Sequence, residues 1–163
     1  YEIKISYKGL PDYRQIVSEE LWKAAERTRQ QYQENLEAGK GAAGSHGRPY
    51  VGTGEAIART TVYPELPGAD EYLVKGETIQ HLIAEFGRTP GSKMPPQAPI
   101  DRWAREAGLT PREGETWDDM ILNIRRHIAA HGLRGFAPAQ LAADMVAPTL
   151  ERNIRARFRE LEK

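Results

Sequence analysis

Residues 56–86 read AIARTTVYPELPGADEYLVKGETIQHLIAEF, and their residue pattern changes twice along the way. From Ala56 to Tyr63 the run is rich in β-branched residues and predicts a strand, closed by Pro64 and Pro67–Gly68. Glu71 to Lys75 predicts a further short strand. In Thr78 to Phe86 the apolar positions Ile79, Leu82, Ile83 and Phe86 then fall at helical spacing, with a strand as the alternative for so short a piece. A strand, a turn, a strand and a helix in so short a stretch predict an α+β fold built on a short antiparallel sheet.

Upstream, Tyr1, Ile3, Ile5 and Tyr7 alternate with Glu2, Lys4, Ser6 and Lys8, the period of a strand with one buried face. Gly9, Pro11 and Asp12 end it. Ser18 is then expected to cap a long helix with Glu19 and Glu20 in its first turn, where the helix dipole favours anions. Leu21, Ala25, Thr28, Tyr32 and Leu36 form its inward stripe with Trp22 beside it, and Gly39 is its stop. From Lys40 to Gly54 no period is legible and glycines recur, so a long mobile loop is expected there.

Downstream, Gly87 to Pro96 reads as a Gly/Pro connector. Pro95, Pro96 and Pro99 suit a first helical turn, where backbone N–H groups have no intrahelical partner. The helix they open is expected to bury Ile100, Trp103, Ala104 and Ala107 and to stop at Gly108. Thr116 and Asp119 resemble a capping box opening a helix with Trp117, Ile121, Ile124 and Ile128 on one face and an end at Gly132. A last helical region starts near Pro138, should kink or break at Pro148, and carries the stripe Leu150, Ile154, Phe158 and Leu161. All three tryptophans fall on expected buried stripes. No repeat or domain boundary is legible, so one domain over 1–163 is the reading, with a long N-terminal helix and several C-terminal helices against the sheet.

The 163 residues carry 23 Lys plus Arg and 23 Asp plus Glu, and a formal net charge of zero argues against a broad nucleic-acid grip. Without cysteine there is no thiol nucleophile, disulfide or thiolate metal site. No run approaches a membrane span and no signal-peptide pattern opens the chain.

His127 and His131 stand one helical turn apart, a spacing that can bind zinc, but the Glu of H-E-x-x-H is missing and helix-end placement explains both more simply. Gly87 to Lys93 is one residue short of a P-loop, and no Ser or Thr follows Lys93. Asp118 and Asp119 are neighbours on a helix start, not a facing acid–base pair. Asp70 and Glu71 read as turn residues without a special role. Arg152, Arg155, Arg157 and Arg159 on the last helix could touch nucleic acid, yet Glu151, Glu160 and Glu162 interleave with them as ion-pair partners would. The charged residues of the irregular segments read first as solvated loop charges and, as the functional alternative, as points that dock on neighbouring subunits and order on assembly. Lys40, His46 and Arg48 lie in the glycine-rich loop, and Arg88 and Lys93 in the connector.

Three patches resemble the tail-completion or neck proteins of long-tailed phages, a family typified by the gene-ten product of a lambdoid phage. They are Thr53–Gly54–Glu55–Ala56–Ile57–Ala58–Arg59–Thr60, then His81 to Pro96 with its Glu85–Phe86–Gly87–Arg88, Pro90–Gly91 and Pro95–Pro96 followed by Pro99, Ile100 and Trp103, and last Ile128 to Leu141 with His131–Gly132–Leu133 and Phe136. The resemblance implies a non-enzymatic structural virion protein, made in the host cytoplasm and placed at the head–tail junction. It implies a homo-oligomeric ring, six-fold to suit a typical tail, that touches neighbouring neck, head-closure and tail proteins and lets DNA through without holding it. No catalytic, cofactor or metal residue comes with it. Lys40, His46, Arg48, Glu85, Phe86, Arg88 and Lys93 are the subunit-interface candidates. The alternatives are a tail terminator or head-closure ring, a nucleic-acid-binding module on the last helix, and a metal-dependent hydrolase around His127 and His131.

Overall fold

The computed structural model describes residues 2–3, 11–45 and 54–161. In chain order these are β1 (Glu2–Ile3), α1 (Pro11–Ala38), β2 (Lys40–Gly41), β3 (Gly44–Ser45), α2 (Glu55–Ala58), β4 (Thr60–Tyr63), β5 (Tyr72–Gly76), α3 (Ile79–Phe86), β6 (Gly87–Arg88), α4 (Gln97–Glu106), α5 (Trp117–His131), β7 (Leu133–Arg134) and α6 (Pro138–Leu161). β1, β5 and β4 make one antiparallel sheet in that order, and β2–β3 and β6–β7 are two-stranded ladders. This is the α+β class the changes of period imply, with a long N-terminal helix.

The expected stripe of α1 is the core. Leu21, Ala25, Thr28, Tyr32 and Leu36 are all buried. The helix lies antiparallel to α6, because Tyr13 meets Phe158 edge-on at 4.9 Å at one end while the buried Asn35 amide donates to the Pro138 carbonyl at 2.9 Å at the other. Between these points Val17, Leu21, Ala24 and Ala25 pack with Val146 and Leu150 and with Val62 and Tyr72 of the sheet. Burying several such side chains at about 1.5–3 kcal/mol each outweighs anything the surface ion pairs add. A second cluster joins Tyr32, Leu36, Ala84, Phe136 and Ala142. A third, Ala104, Met120 and Ile121, belongs to the α4–α5 hairpin alone.

Several boundaries differ from those expected, each for a tertiary reason. The first helix begins at Pro11, not at Ser18, and Ser18 is a buried mid-helix residue whose hydroxyl donates to the Ala69 carbonyl at 3.0 Å. Glu20 is likewise buried, and Lys23 and Arg157 reach its carboxylate at 2.7 and 3.7 Å. Asp70 does have a role, pairing with Arg14 and so tying the β4–β5 turn to α1. The Ala56–Tyr63 run starts as the short helix α2 and turns to strand only at Thr60. Pro148 neither breaks nor ends α6. It is exposed, as is Asp144 four residues before, so water can serve the carbonyl that the proline leaves without a helical donor. Trp103 is 41% exposed and Ala107 is exposed too, because the side of α4 that meets α5 is the one bearing Ile100 and Ala104, with Asp101 and Arg105 against Trp117. Leu161 ends its stripe exposed. The Thr116–Asp119 capping box, the Gly39 stop and the Gly132 stop form as read.

Candidate assembly surface

The second and third sequence patches, separated by some thirty residues of helical hairpin, are one piece of structure. β6 pairs with β7 in the register Gly87↔Arg134 and Arg88↔Leu133. The two glycine-bearing chains approach so closely that side chains are excluded. A Cβ on Gly135 would lie 2.5 Å from the Gly87 nitrogen and 2.6 Å from the Glu85 carbonyl oxygen. One on Gly132, which closes α5 at φ 72, would lie 2.2 Å from the Arg88 oxygen. These glycines are needed because backbone here packs on backbone.

Beyond β7 the chain stays clamped. Phe136 and Ala137 both donate their N–H to the Ala84 carbonyl, at 2.8 and 3.2 Å, and their own carbonyls accept from Ala43 and Ala42 at 3.1 Å each. Ala137 is thereby held at φ 55, a conformation an alanine adopts only under constraint. The Lys40–Ser45 portion of the expected mobile loop is therefore a tight hairpin docked on this segment, with Gly41 pressed against Phe136. His46 and Arg48 lie outside the described residues. Lys40 is exposed in β2.

The remaining candidates divide by where their side chains go. Glu85 turns inward along the chain, its carboxylate accepting from the Ala139 and Gln140 N–H groups at 2.9 and 3.2 Å, and so caps the first turn of α6. Arg88 donates through Nε to Ser92 Oγ at 3.0 Å and through its terminal nitrogen to the Lys93 carbonyl, which folds the connector into a turn. Gly91 completes it by donating to the Ala129 carbonyl at 2.7 Å. The segment that looked like a phosphate loop is thus a strap holding α5 to β6. Lys93 is exposed, and Phe86 is 81% exposed.

Phe86 is not alone. Ile79, Leu82 and Phe86 stand at helical spacing on α3 and are 63%, 55% and 81% exposed, while Ala84 on the opposite side is fully buried. Arg134 beside this face donates to the Ala43 carbonyl. The sequence placed Ile79 and Leu82 at helical spacing without saying what their face meets. Period cannot say whether an apolar face meets its own chain or another.

His81, on the buried side of α3, was not singled out by the sequence. It is 3% exposed, and the Thr78 backbone N–H donates to its Nδ1 at 3.2 Å, which leaves Nε2 to carry the proton toward Thr60 Oγ1 at 3.1 Å. Thr60 in turn donates to the Ala56 carbonyl at 3.1 Å. Burial pushes the imidazole below its ordinary range, against the opposing pull of backbone carbonyls and of Glu77. The chain of bonds reads as structural, joining α2, β4 and α3.

His127 and His131 face each other at 4.4 Å between ring centroids on exposed helix, and among the described residues no third His, Asp or Glu joins them as a metal ligand. The cations of α6 are partly answered: Arg155 pairs with Glu151, and Arg157 lies 3.6 and 3.7 Å from Glu19 and Glu20. Glu162 lies outside the described residues. No helix among them is long and apolar enough to cross a membrane. Comparison with protein-family models, curated proteins and solved structures gives no match for this chain.

Proposed function

We propose that this chain is a structural, non-enzymatic subunit of a tailed-phage neck, a tail-completion component of a six-fold homo-oligomeric ring that joins tail to head and lines the DNA passage. The observation that carries the proposal is the outward apolar face of α3. A helix with Ala84 and His81 buried on one side and Ile79, Leu82 and Phe86 left to solvent on the other is built for a partner. Such a face is of more use to an assembly subunit than to a monomer that works alone. The motif resemblance supports the same reading, since its two longer patches converge on the ladder beside this face. A net charge of zero suits a wall past which DNA must slide without being gripped.

Deletion of the gene from the phage, followed by induction and negative-stain electron microscopy, tests the proposal. DNA-filled heads beside separate, complete tails are expected. Normal infectious particles would refute it.

A further inference from the structure

The molecule has a second apolar surface. Tyr63 and Leu73 are register partners on β4 and β5, so they share the sheet face opposite the buried Val62 and Tyr72, and they are 64% and 39% exposed. Leu66, on the adjoining turn, is 74% exposed. The outer residues of the two surfaces, Leu66 and Phe86, lie far apart along α1. Ser18 holds the β4–β5 turn and Asn35 holds the start of α6, near the α3 end. At ~1.5 Å per residue that separation is about 25 Å.

Their charged borders are opposite. Around Phe86 stand Arg88, Lys93 and Arg134. Arg88 and Arg134 donate to the hydroxyl and carbonyl oxygens named above, and among the described residues none of the three is in an ion pair. Around Leu66 stand the exposed Glu65 and Glu71, also in no ion pair among the described residues. The nearby Lys75 is engaged with Glu77 at 3.4 Å and lies over the Tyr63 ring.

We infer that the α3 face of one copy docks on the Tyr63–Leu66–Leu73 face of the next, so that the chain self-associates head to tail. Each contact covers two apolar faces and sets cations against anions. Pairing two α3 faces would instead bring Arg88, Lys93 and Arg134 against their own copies, a like-charge arrangement that disfavours a two-fold dimer. A contact between two different faces is heterologous, and repeated from copy to copy it generates a ring or a filament. The inference rests on the reading of the chain as an assembly subunit and adds which surfaces meet and with what polarity.

The absence of cysteine makes the test direct. Phe86→Cys and Leu66→Cys are made singly in the full chain, at sites exposed enough to leave the fold intact, as circular dichroism will verify. Each is treated with a short bismaleimide alone and in an equimolar mixture. Only the mixture should yield the cross-linked dimer, carrying one copy of each variant by mass. The double variant should give a ladder of higher species. Adding Lys93→Glu to the Phe86→Cys partner should lower the yield several-fold, and adding Glu65→Lys to the Leu66→Cys partner should restore it. Self-cross-linking of Phe86→Cys as strong as that of the mixture would overturn the inference. So would a mixture that yields no dimer at any concentration. Either failure leaves the neck reading to the deletion experiment, which does not depend on how copies meet.

Discussion

Replacing Glu85 by alanine removes both acceptors from the first turn of α6. The Ala139 and Gln140 N–H groups, now bonded at 2.9 and 3.2 Å, would then have only water to turn to. Loss of a side-chain cap costs about 0.5–2 kcal/mol, and loss of an anion near a helix N-terminus about 0.3–1 kcal/mol more. Gln140 is exposed and Glu85 half-buried, so water recovers part of this, and about 1.5 kcal/mol is the expected net loss. For a chain of this size that lowers Tm by about 3–6 °C. Glu85→Gln keeps one acceptor oxygen and should lose about half as much. Phe86→Ala is the comparison: its ring is 81% exposed, so its effect on the monomer should stay within about 0.5 kcal/mol while self-association falls. Calorimetry on dilute protein gives the stabilities, and light scattering on concentrated protein gives the association. A Glu85→Ala variant that melts with the parent but fails to associate would refute the cap and return Glu85 to the interface.

Gly135→Ala should be severely destabilising, by about 3 kcal/mol or more in urea unfolding, because the atoms its Cβ would meet are all backbone and cannot step aside. Gly114→Ala, at φ 78 in open space, should cost only the left-handed conformation, about 1–2 kcal/mol. Thr116→Ala should cost about 1 kcal/mol through loss of the α5 cap, read by the same titration. The His81 imidazole is held neutral in the folded chain below the pH at which the unfolded chain takes up its proton. The unfolded state therefore binds more protons in that window, and the stability His81 contributes is present above about pH 6.5 and lost as pH falls through its depressed folded value. Tm measured from pH 8 to pH 5 should fall in that direction, and His81→Gln should flatten the slope. An unchanged slope would mean other groups produce it.

The helical stripes were legible because they are local: Leu21, Ala25, Thr28, Tyr32 and Leu36 share a face whatever lies opposite them. The Thr116 box and the Gly132 stop were legible for the same reason, since each is satisfied within a few residues of itself. Of the candidate surface, the sequence marked Phe86, Arg88 and Lys93 but not Ile79 and Leu82. In a sequence, an apolar face that waits for another chain looks the same as one that meets its own. It also gave no sign that Lys40–Ser45 would be ordered, because the order comes from the Phe136 and Ala137 backbone almost a hundred residues away.

What this sequence determined by itself was the class of fold, the positions of five of the six described helices and of strands β4 and β5, and the glycines and prolines that separate them. All of that follows from period, capping and backbone freedom, which act over one or two turns of chain. Only the tertiary structure decided that Glu85 caps α6, that Ser18 and Glu20 are buried mid-helix, that Pro148 is carried through, and that the α3 face is left outside. Those outcomes depend on which groups meet across long separations, and on whether packing on both sides of an element offsets what a residue costs it locally.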